Sequence, residues 1–340
     1  MNTESRVETA QLPAARGDLS ELVLSALERP PYELAPALPV HGDPLAGDED
    51  FHLALYCLYE LHYRSFEGVD DRWEWDPSLL RLRAELERRF EGQLREALAG
   101  AQEPAGRDLP EQLKELLATA DGPPLSRFLE MRASVDQFRE VLVHKSAYQL
   151  KEADPHSFAI PRLSGRPKVA LVEVQFDEYG GGRPERQHAR LFAGTMEALG
   201  LDGSYGAYLD AIPGYTLAAV NLMSLFGLHR RLRGAVVGHL AALEMDSTQP
   251  NRRYGNGLRR LGGNAVATRF YDEHVEADAV HEQIAAHDLC GAFCLENPDQ
   301  APAVLFGAAC GLALDRLFAD HVLARWRADD SSLLGPPIYA

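Results

Sequence analysis

The sequence lacks the short motifs that mark several large classes of enzyme. No GxGxxG or GxxxxGK[ST] segment occurs among its 340 residues, which argues against a site for a dinucleotide or a nucleoside triphosphate. Basic residues are also scarce, because 34 lysines and arginines stand against 51 acidic residues and give a net charge of −17. A chain this acidic is unsuited to nucleic acid or to an anionic membrane, so we expect neither as a partner.

Cysteines and long apolar runs are scarce as well. The four cysteines form no CxxC pair and no disulfide framework, which indicates a reducing compartment. The first 17 residues are polar and lack the apolar segment of a signal peptide, and no apolar run is long enough to cross a bilayer. These absences predict a soluble, cytoplasmic protein.

Helix-forming residues with helical spacing fill most of the chain, which predicts an all-α fold. The first 17 residues are expected to be disordered, and Asp18 is expected to cap a short first helix. Residues 1–122 carry amphipathic helices without evident chemistry, and we interpret them as an N-terminal helical extension. Residues 123–340 would form the main domain, which begins with one long helix over Leu125–Glu152.

The segment Lys168–Gly182, KVALVEVQFDEYGGG, has alternating apolar residues that fit a strand as well as a helix. We predict a helix, because its neighbours are helical and no partner strand is evident elsewhere. The three glycines should end it, and Pro184 should begin the next helix, which runs to Leu199. In a later helix, Gly234 and Gly238 are four residues apart and would let another helix approach closely.

The segment Phe270–Leu289, FYDEHVEADAVHEQIAAHDL, is a predicted helix with metal-binding side chains on one face. His274, Asp278 and His281 recur at i, i+4 and i+7, which places them within about 60° of one another around the helix axis. Such a group is better suited to binding a metal than to forming an apolar core. A single histidine is more often a packed core residue, so the metal hypothesis requires ligands from other helices.

Three further ligands are predicted from other helices. Glu178 and His188 lie ten residues apart on the two sides of the glycine break, where a kink would bring them together. Glu185 remains an alternative, because Glu185 and His188 have the i, i+3 spacing that helical bundles use for metals. Glu244 ends an apolar helical segment, where a buried carboxylate needs a compensating cation.

The predicted core ligand set contains three carboxylates and three imidazoles: Glu178, His188, Glu244, His274, Asp278 and His281. Oxygen and imidazole donors without thiolate favour iron or manganese over a structural zinc site. Six ligands are more than one ion with an open position requires, and they suit two ions that also bind oxygen. His52 and His62 lie among aromatic and aliphatic residues, so we interpret both as packing residues.

The order Glu…His…Glu…His-x3-Asp-x2-His resembles that of the heme-oxygenase-like diiron oxidases and oxygenases. The segments YQLKEADPHSFAIPRL, GHLAALEMDSTQPNRRYGNGLRRLG and FYDEHVEADAVHE also resemble members of this family, over roughly residues 125–325. The resemblance implies a heme-oxygenase-like helical bundle that binds two Fe(II) ions rather than heme. It further implies O2 as co-substrate, a separate reductant, and Glu152 as a candidate for an extra carboxylate ligand.

The family resemblance also implies a small substrate, such as an amino acid or a related amine or acid. We expect C–H activation that leads to desaturation or C–N cyclisation, in natural product biosynthesis, with N-oxygenation of an amine as the close alternative. The N-terminal extension is expected to support a homodimer. Candidate substrate-binding residues are Arg252, Arg253 and Arg260, because arginine binds carboxylates bidentately, and Tyr271, which could form part of the pocket wall. For any one arginine, an ion pair at the acidic surface is the simpler interpretation.

Other classes of function remain open at this point. A non-catalytic helical protein that binds a metal or a partner would explain the acidic composition and the extension, but not the polar residues expected to face a core. A heme-degrading oxygenase would need one proximal histidine and a roomy apolar pocket, which Glu244 and Asp278 would disturb. An iron carrier would need no substrate pocket.

Overall fold

The computed structural model describes residues 8–34, 41–99, 108–120 and 122–336, without the side chains of residues 278 and 279. In these residues the protein is all-α, as predicted, and an isolated bridge between Ala10 and Phe66 is the only β-type pairing. A π-helix, Ile284–Gly291, joins the α-helices Ala265–Gln283 and Ala292–Glu296. The helices are α1 Asp18–Leu27, α2 Glu49–Glu60, α3 Pro77–Ala97, α4 Leu109–Thr119, α5 Leu125–Met131, α6 Val135–Gln149, α7 Asp154–Ser157, α8 Gly165–Glu178, α9 His188–Ala198, α10 Gly214–Leu228, α11 Arg233–Asp246, α12 Thr248–Arg260, α13 Ala265–Gln283, α14 Ala292–Glu296 and α15 Ala301–Arg327.

Helix α10 lies at the centre of the protein. Nearly all of its residues are buried, as expected for a helix that is apolar on every side. It contacts α2 from the N-terminal part of the chain and α11 and α15 from the C-terminal part. One hydrophobic core therefore runs through both parts of the described chain, while the domain boundary at residue 122 stays a prediction.

Helices α11 and α15 pack closely because glycines on each face the backbone of the other. A Cβ atom at Gly238 would clash with the carbonyl oxygen of Val304, and one at Gly307 would clash with that of Ala235. Gly234 also faces α15 at short range. The close approach predicted for Gly234 and Gly238 is therefore confirmed, and it fixes the position of α11.

The start of the chain differs from the prediction of a disordered leader. Residues 8–17 pack against the rest of the protein, while residues 1–7 lie outside the described residues. The guanidinium of Arg16 donates hydrogen bonds to Glu49, at 2.6 Å, and to the carbonyl oxygen of Leu209, at 2.8 Å. Contacts from residues distant in sequence hold this polar segment, and its composition does not reveal them.

The cap of α1 was also predicted incorrectly. Asp18 is the first residue of the helix, and its side chain makes no capping hydrogen bond. The carboxylate of Asp50, on α2, instead accepts hydrogen bonds from the backbone N–H groups of Leu19 and Ser20. A capping group can come from a neighbouring helix, which local sequence does not indicate.

The long helix predicted over Leu125–Glu152 is wrong, because the chain breaks into α5 and α6. Ser134 caps α6, since its hydroxyl oxygen accepts a hydrogen bond from the N–H of Gln137 at 3.2 Å. The Gln137 side chain in turn accepts a hydrogen bond from the N–H of Ser134 at 3.0 Å. This capping box starts a new helix, and its S-x-x-Q pattern is visible in the sequence.

One helix, Pro298–Arg327, is long and apolar enough to cross a membrane by length and composition alone. The expectation that the chain contains no such segment was therefore too strict. Half of its most apolar window is buried inside the protein. Its packing against α10 and α11 gives it the surroundings of a core helix, which passes the same test of length and composition.

Candidate metal centre

Glu178 ends α8 and His188 begins α9, on the two sides of a glycine turn. The helix predicted in this segment is confirmed over Gly165–Glu178. The three glycines at 180–182 have φ values of +81°, +61° and +77°, a conformation that glycine adopts at little cost. This turn brings Glu178 Oε2 within 2.9 Å of His188 Nδ1, so the predicted convergence of these residues is observed.

The turn also decides between the two carboxylates considered for this position. Pro184 begins a short 3₁₀ turn, Pro184–Arg186, and not the helix predicted to start there. Glu185 lies in this turn, and its side chain is exposed. Glu185 and His188 therefore do not lie on one continuous helix, as their i, i+3 spacing would require. Glu178 is the carboxylate that faces the histidine.

Helix α13 orients the His274 ring by a hydrogen bond to its own backbone. His274 Nδ1 lies 2.8 Å from the carbonyl oxygen of Phe270, one turn earlier, and donates to it. In the neutral ring the other nitrogen, Nε2, would carry the lone pair, and it lies 3.6 Å from Glu152 Oε1. The His274 ring is also close to the His188 ring, with centroids 4.4 Å apart.

His281, the second histidine of α13, has a carboxylate beside each of its ring nitrogens. His281 Nε2 lies 3.1 Å from Asp177 Oδ2, to which it donates, and Nδ1 lies 3.3 Å from Glu244 Oε2. A carboxylate that binds one ring nitrogen fixes the tautomer and leaves the other nitrogen available to a metal. The side chain of Asp278, the third predicted ligand of this helix, lies outside the described residues.

Glu152 lies in the turn between α6 and α7, beside a buried ion pair. Lys151 Nζ is 2.7 Å from Glu60 Oε2, and both side chains are almost completely inaccessible to water. Tyr205 donates a hydrogen bond to the other oxygen of Glu60 at 2.7 Å. The N-terminal helix α2, which carries Glu60, therefore holds the turn that presents Glu152 to the cluster.

The predicted ligands that are described form two overlapping groups. Glu152, Glu178, His188 and His274 form one, and Glu178, Glu244 and His281 form the other. Within each group the potential ligand atoms all lie within 4.8 Å of one another. Glu178 belongs to both groups.

The buried carboxylates of this cluster raise the pKa of two of its imidazoles. Burial raises the pKa of Glu152, against the influence of His274. Burial alone would lower the pKa of His274, but Glu152 and Glu178 together raise it to about 10. For His281, Glu244 and Asp177 likewise outweigh burial and raise the pKa to about 9. Without metal, protons on His274 and His281 therefore offset part of the buried negative charge.

The ring nitrogens nearest the carboxylates fit metal coordination. Nδ1 of His188 and Nδ1 of His281 are buried, and neither has a hydrogen-bond partner among the described residues. Each lies about 3 Å from a carboxylate oxygen without the alignment of a hydrogen bond. Buried nitrogen and carboxylate oxygen donors without a thiolate suit iron, so the residues present fit the metal ions that the sequence predicts.

The predicted substrate-binding arginines do not line a cavity with the cluster. Arg260 donates hydrogen bonds to three backbone carbonyls at the end of α5 and beyond it. Arg253 donates to the Ser126 hydroxyl at 3.1 Å, and Arg252 is exposed on α12. Tyr271 is buried in the core, and its hydroxyl has no partner among the described residues.

A cavity of about 550 Å³ reaches the cluster and is lined by Glu152, Glu178, Glu244 and His274. Sequence analysis did not identify the other polar residues of its wall, which include Lys145, His156, Gln175, His239, Asp246 and Asp315. His156 Nε2 and His239 Nδ1 lie 3.2 Å apart. Burial lowers the pKa of His156 to about 4 and that of His239 to about 3, so this pair is neutral. His156 and His239 come from different helices, α7 and α11, so no spacing in the sequence links them.

The fold and the histidine–carboxylate cluster are those of a heme-oxygenase-like helical protein with a candidate metal centre. Residues 139–316, just over half of the chain, match the family described as iron-containing redox enzymes. The chain belongs to this family, which confirms the resemblance seen in the sequence, and it is an oxidoreductase.

Individual relatives agree with this placement at low identity. A nitrosourea synthase of Streptomyces achromogenes subsp. streptozoticus is 28% identical over 140 residues, which are 41% of this chain. The match spans only 30% of the length of that enzyme. A crystal structure of a CADD-like protein of unknown function from Nostoc punctiforme has a TM-score of 0.51 and 17% identity, and covers 64% of this chain and 96% of its own.

A second solved structure supports the predicted fold class. It is a domain of unknown function with a heme-oxygenase-like fold from Shewanella denitrificans, with a TM-score of 0.50 and 14% identity. The similarity covers 68% of this chain and 95% of that domain. The prediction of an all-α, heme-oxygenase-like fold is confirmed.

Proposed function

We propose that this protein is a non-heme diiron oxidase or oxygenase that uses O2. The observation that carries the proposal is the position of Glu178, which belongs to both groups of potential ligands. Two Fe(II) ions would supply two of the electrons that reduce O2. In this proposal Glu152, Glu178, His188 and His274 would hold one ion, and Glu178, Glu244 and His281 would hold the other, with Asp278 as a further ligand.

The protein's own residues set the geometry in which this chemistry would occur. The carbonyl of Phe270 fixes the ring of His274, and the carboxylate of Asp177 fixes the ring of His281. Burial of the cluster excludes bulk water from the ligand atoms, which strengthens their attraction for cations. The cavity gives a small molecule access to Glu152, Glu178 and His274 without unfolding the bundle.

We propose a small amino acid or a related amine as the substrate, oxidised by removal of hydrogen. Desaturation or C–N cyclisation removes two hydrogens from the substrate, with two electrons. O2 accepts these two electrons and two more from an external reductant, and with two added protons it leaves as two molecules of water. A cavity of about 550 Å³ with charged residues in its wall supports a small polar substrate.

N-oxygenation is the second candidate, and the relative that makes a nitrosourea favours it. In this reaction one oxygen atom enters an N–H bond and the other leaves as water, with two electrons and two protons from the reductant. Both reactions require the same ligands and the same cavity. They differ in which atom of the substrate lies closest to the ions.

The proposal is tested by incubating Fe(II)-loaded protein with O2, a reductant and a panel of amino acids and amines. Product masses distinguish the candidates, because desaturation or cyclisation removes two hydrogens and N-oxygenation adds one oxygen. The anaerobic mixture and the Glu178→Ala variant serve as controls without turnover. A protein that binds iron but changes no member of the panel in the presence of O2 would be a metal-binding protein of another function.

A further inference from the structure

The cavity contains a cation that the structure does not neutralise. Lys145 lies on α6, in the wall of the cavity that also contains Tyr148 and Glu152. No carboxylate of the described residues lies within 4.0 Å of its ammonium nitrogen. Lys145 Nζ is instead 5.8 Å from the centre of the Tyr254 ring and 5.9 Å from that of Phe318. Aromatic faces attract an ammonium group, but they do not cancel its charge.

Two carboxylates of the same cavity also lack a counterion. Asp246 ends α11, Asp315 lies on α15, and neither forms an ion pair within the described part of the chain. Both residues line the cavity and remain accessible to solvent. Asp315 lies one helical turn before Phe318, whose ring centre is 5.9 Å from Lys145 Nζ, so Lys145 and Asp315 line the same part of the cavity.

Lys145 and Asp315 therefore line one part of the cavity and leave a gap between them, without a direct ion pair. A molecule with an anionic group and a cationic group on adjacent atoms would fill this gap. Its carboxylate would contact the ammonium of Lys145, and its ammonium group would contact the carboxylate of Asp315. A free α-amino acid has this arrangement of charges.

The end of the cavity near Glu178 independently indicates a ligand that forms hydrogen bonds. Gln175 Nε2 donates to the carbonyl oxygen of Ala153 at 2.8 Å and to Ser157 Oγ at 2.7 Å. These bonds fix the amide, and its buried oxygen has no donor among the described residues. His156 Nδ1 is also buried without a partner there. An apolar ligand would leave these atoms unpaired, which is unfavourable.

We propose that Lys145 and Asp315 bind the α-carboxylate and the α-ammonium of an amino-acid substrate and direct its side chain towards the metal cluster. The proposal rests on the function proposed above and names the residues that select the substrate class. Lys145 lies on α6 and Glu152 lies in the turn that follows it, and both line the same cavity. An amino acid whose head lies at Lys145 can therefore direct its side chain along the cavity towards the ligands.

Binding is measured anaerobically with the Fe(II)-loaded protein, so that no oxidation is required. The probes are the proteinogenic amino acids, the amines that lack the carboxylate, and the acids that lack the amine, and calorimetry gives each affinity. We expect at least one amino acid to bind at least tenfold more tightly than its decarboxylated amine. Lys145→Met should abolish this preference, whereas Lys145→Arg should retain most of it.

The Asp315→Asn variant tests the proposed contact with the ammonium group of the amino acid. It should abolish the preference for an amino acid over the acid that lacks the amine, and it should leave the preference over the amine intact. Lys114→Met, at an exposed position on α4, is the matched control and should bind as the unaltered protein does.

Equal binding of amino acids and their decarboxylated amines by the unaltered protein would overturn the proposal, as would unchanged binding by a folded Lys145→Met variant. Because the comparison of ligands uses the unaltered protein, the proposal remains testable if a variant fails to fold. Selective binding of an amino acid without O2-dependent turnover would contradict the proposed function and leave the assignment of Lys145 standing.

Discussion

Glu178 Oε2 and His188 Nδ1 lie 2.9 Å apart, although one residue ends a helix and the other begins the next. The three left-handed glycines between these helices allow the chain to reverse within a few residues. The turn therefore holds the carboxylate and the imidazole at a fixed distance from each other. Their position relative to the other ligands depends on the packing of α8 and α9 against α13 and the π-helix that follows it.

Glu178→Ala should remove both ions, whereas His281→Ala should remove only the one held by the second group. The reason is that Glu178 belongs to both groups and His281 to one. Iron content after anaerobic loading and desalting measures the difference. Glu185→Ala, an exposed glutamate in the nearby 3₁₀ turn, is the control and should keep both ions. Equal loss of iron in the Glu178 and His281 variants would contradict the shared position of Glu178.

Asp177→Asn should weaken iron binding in the second group by about 10- to 100-fold, as is usual when the partner of a ligating histidine is lost. The Asp177 carboxylate accepts the N–H of His281 and fixes the tautomer that leaves Nδ1 available. Titration with Fe(II) should show one weakened site and one unchanged site. Two equally weakened sites would mean that Asp177 acts on the fold as a whole, and circular dichroism would reveal that change.

Candidate ligands on one helix can be found from the sequence more readily than contacts between helices can. His274 and His281 follow from helical spacing, and Glu244 from a carboxylate in an apolar segment. The helix preceding Glu178 was predicted correctly in spite of its strand-like alternation, because no partner strand was evident.

Contacts between helices could not be predicted from local patterns. Asp50 caps α1 from α2, Asp177 orients His281, and Lys145 faces the cavity from α6. Each of these relationships joins residues that are distant in sequence, and each depends on which helix faces meet. The break before α6 was missed for a different reason, because its capping box is a local pattern that the sequence shows.

Lys151→Met should destabilise the protein by about 3–5 kcal/mol, the range expected when one partner of a buried ion pair is removed. The substitution leaves the Glu60 carboxylate charged and without its partner in the core. Urea denaturation measures the loss. The double variant Lys151→Met with Glu60→Gln should recover part of it, because no uncompensated charge remains. Arg72→Met, which breaks the exposed pair with Asp70, should have little effect and is the control.

His52 should make the metal-free protein less stable as the pH falls from about 6.5 to about 4. Burial lowers the pKa of His52 to about 4, whereas an unfolded histidine has a pKa near 6.5. In this range the unfolded state binds more protons, so the free energy of unfolding decreases as the pH falls, by at most about 1.4 kcal/mol per pH unit for one group.

The structural reason is that both nitrogens of the His52 ring are occupied. Nε2 donates to the carbonyl oxygen of Pro44 at 2.8 Å, and Nδ1 accepts from Asn221 at 3.2 Å, so a second proton has no acceptor. His52→Gln should flatten the dependence of the free energy of unfolding on pH between 7 and 5, measured in urea. An unchanged slope in this variant would assign the acid sensitivity to other groups, such as His156 and His239.

Gly238 and Gly307 each face the backbone of the opposite helix, which limits how related sequences can diverge at these positions. Each missing side chain is replaced by the backbone of the other helix, and a backbone cannot shrink to compensate for a larger residue. A second substitution therefore cannot restore the fit. Divergence at either position requires α11 and α15 to move apart, and Glu244, six residues after Gly238, moves with α11. Among relatives, these two glycines should be lost only where the carboxylate at the end of α11 is also repositioned or absent.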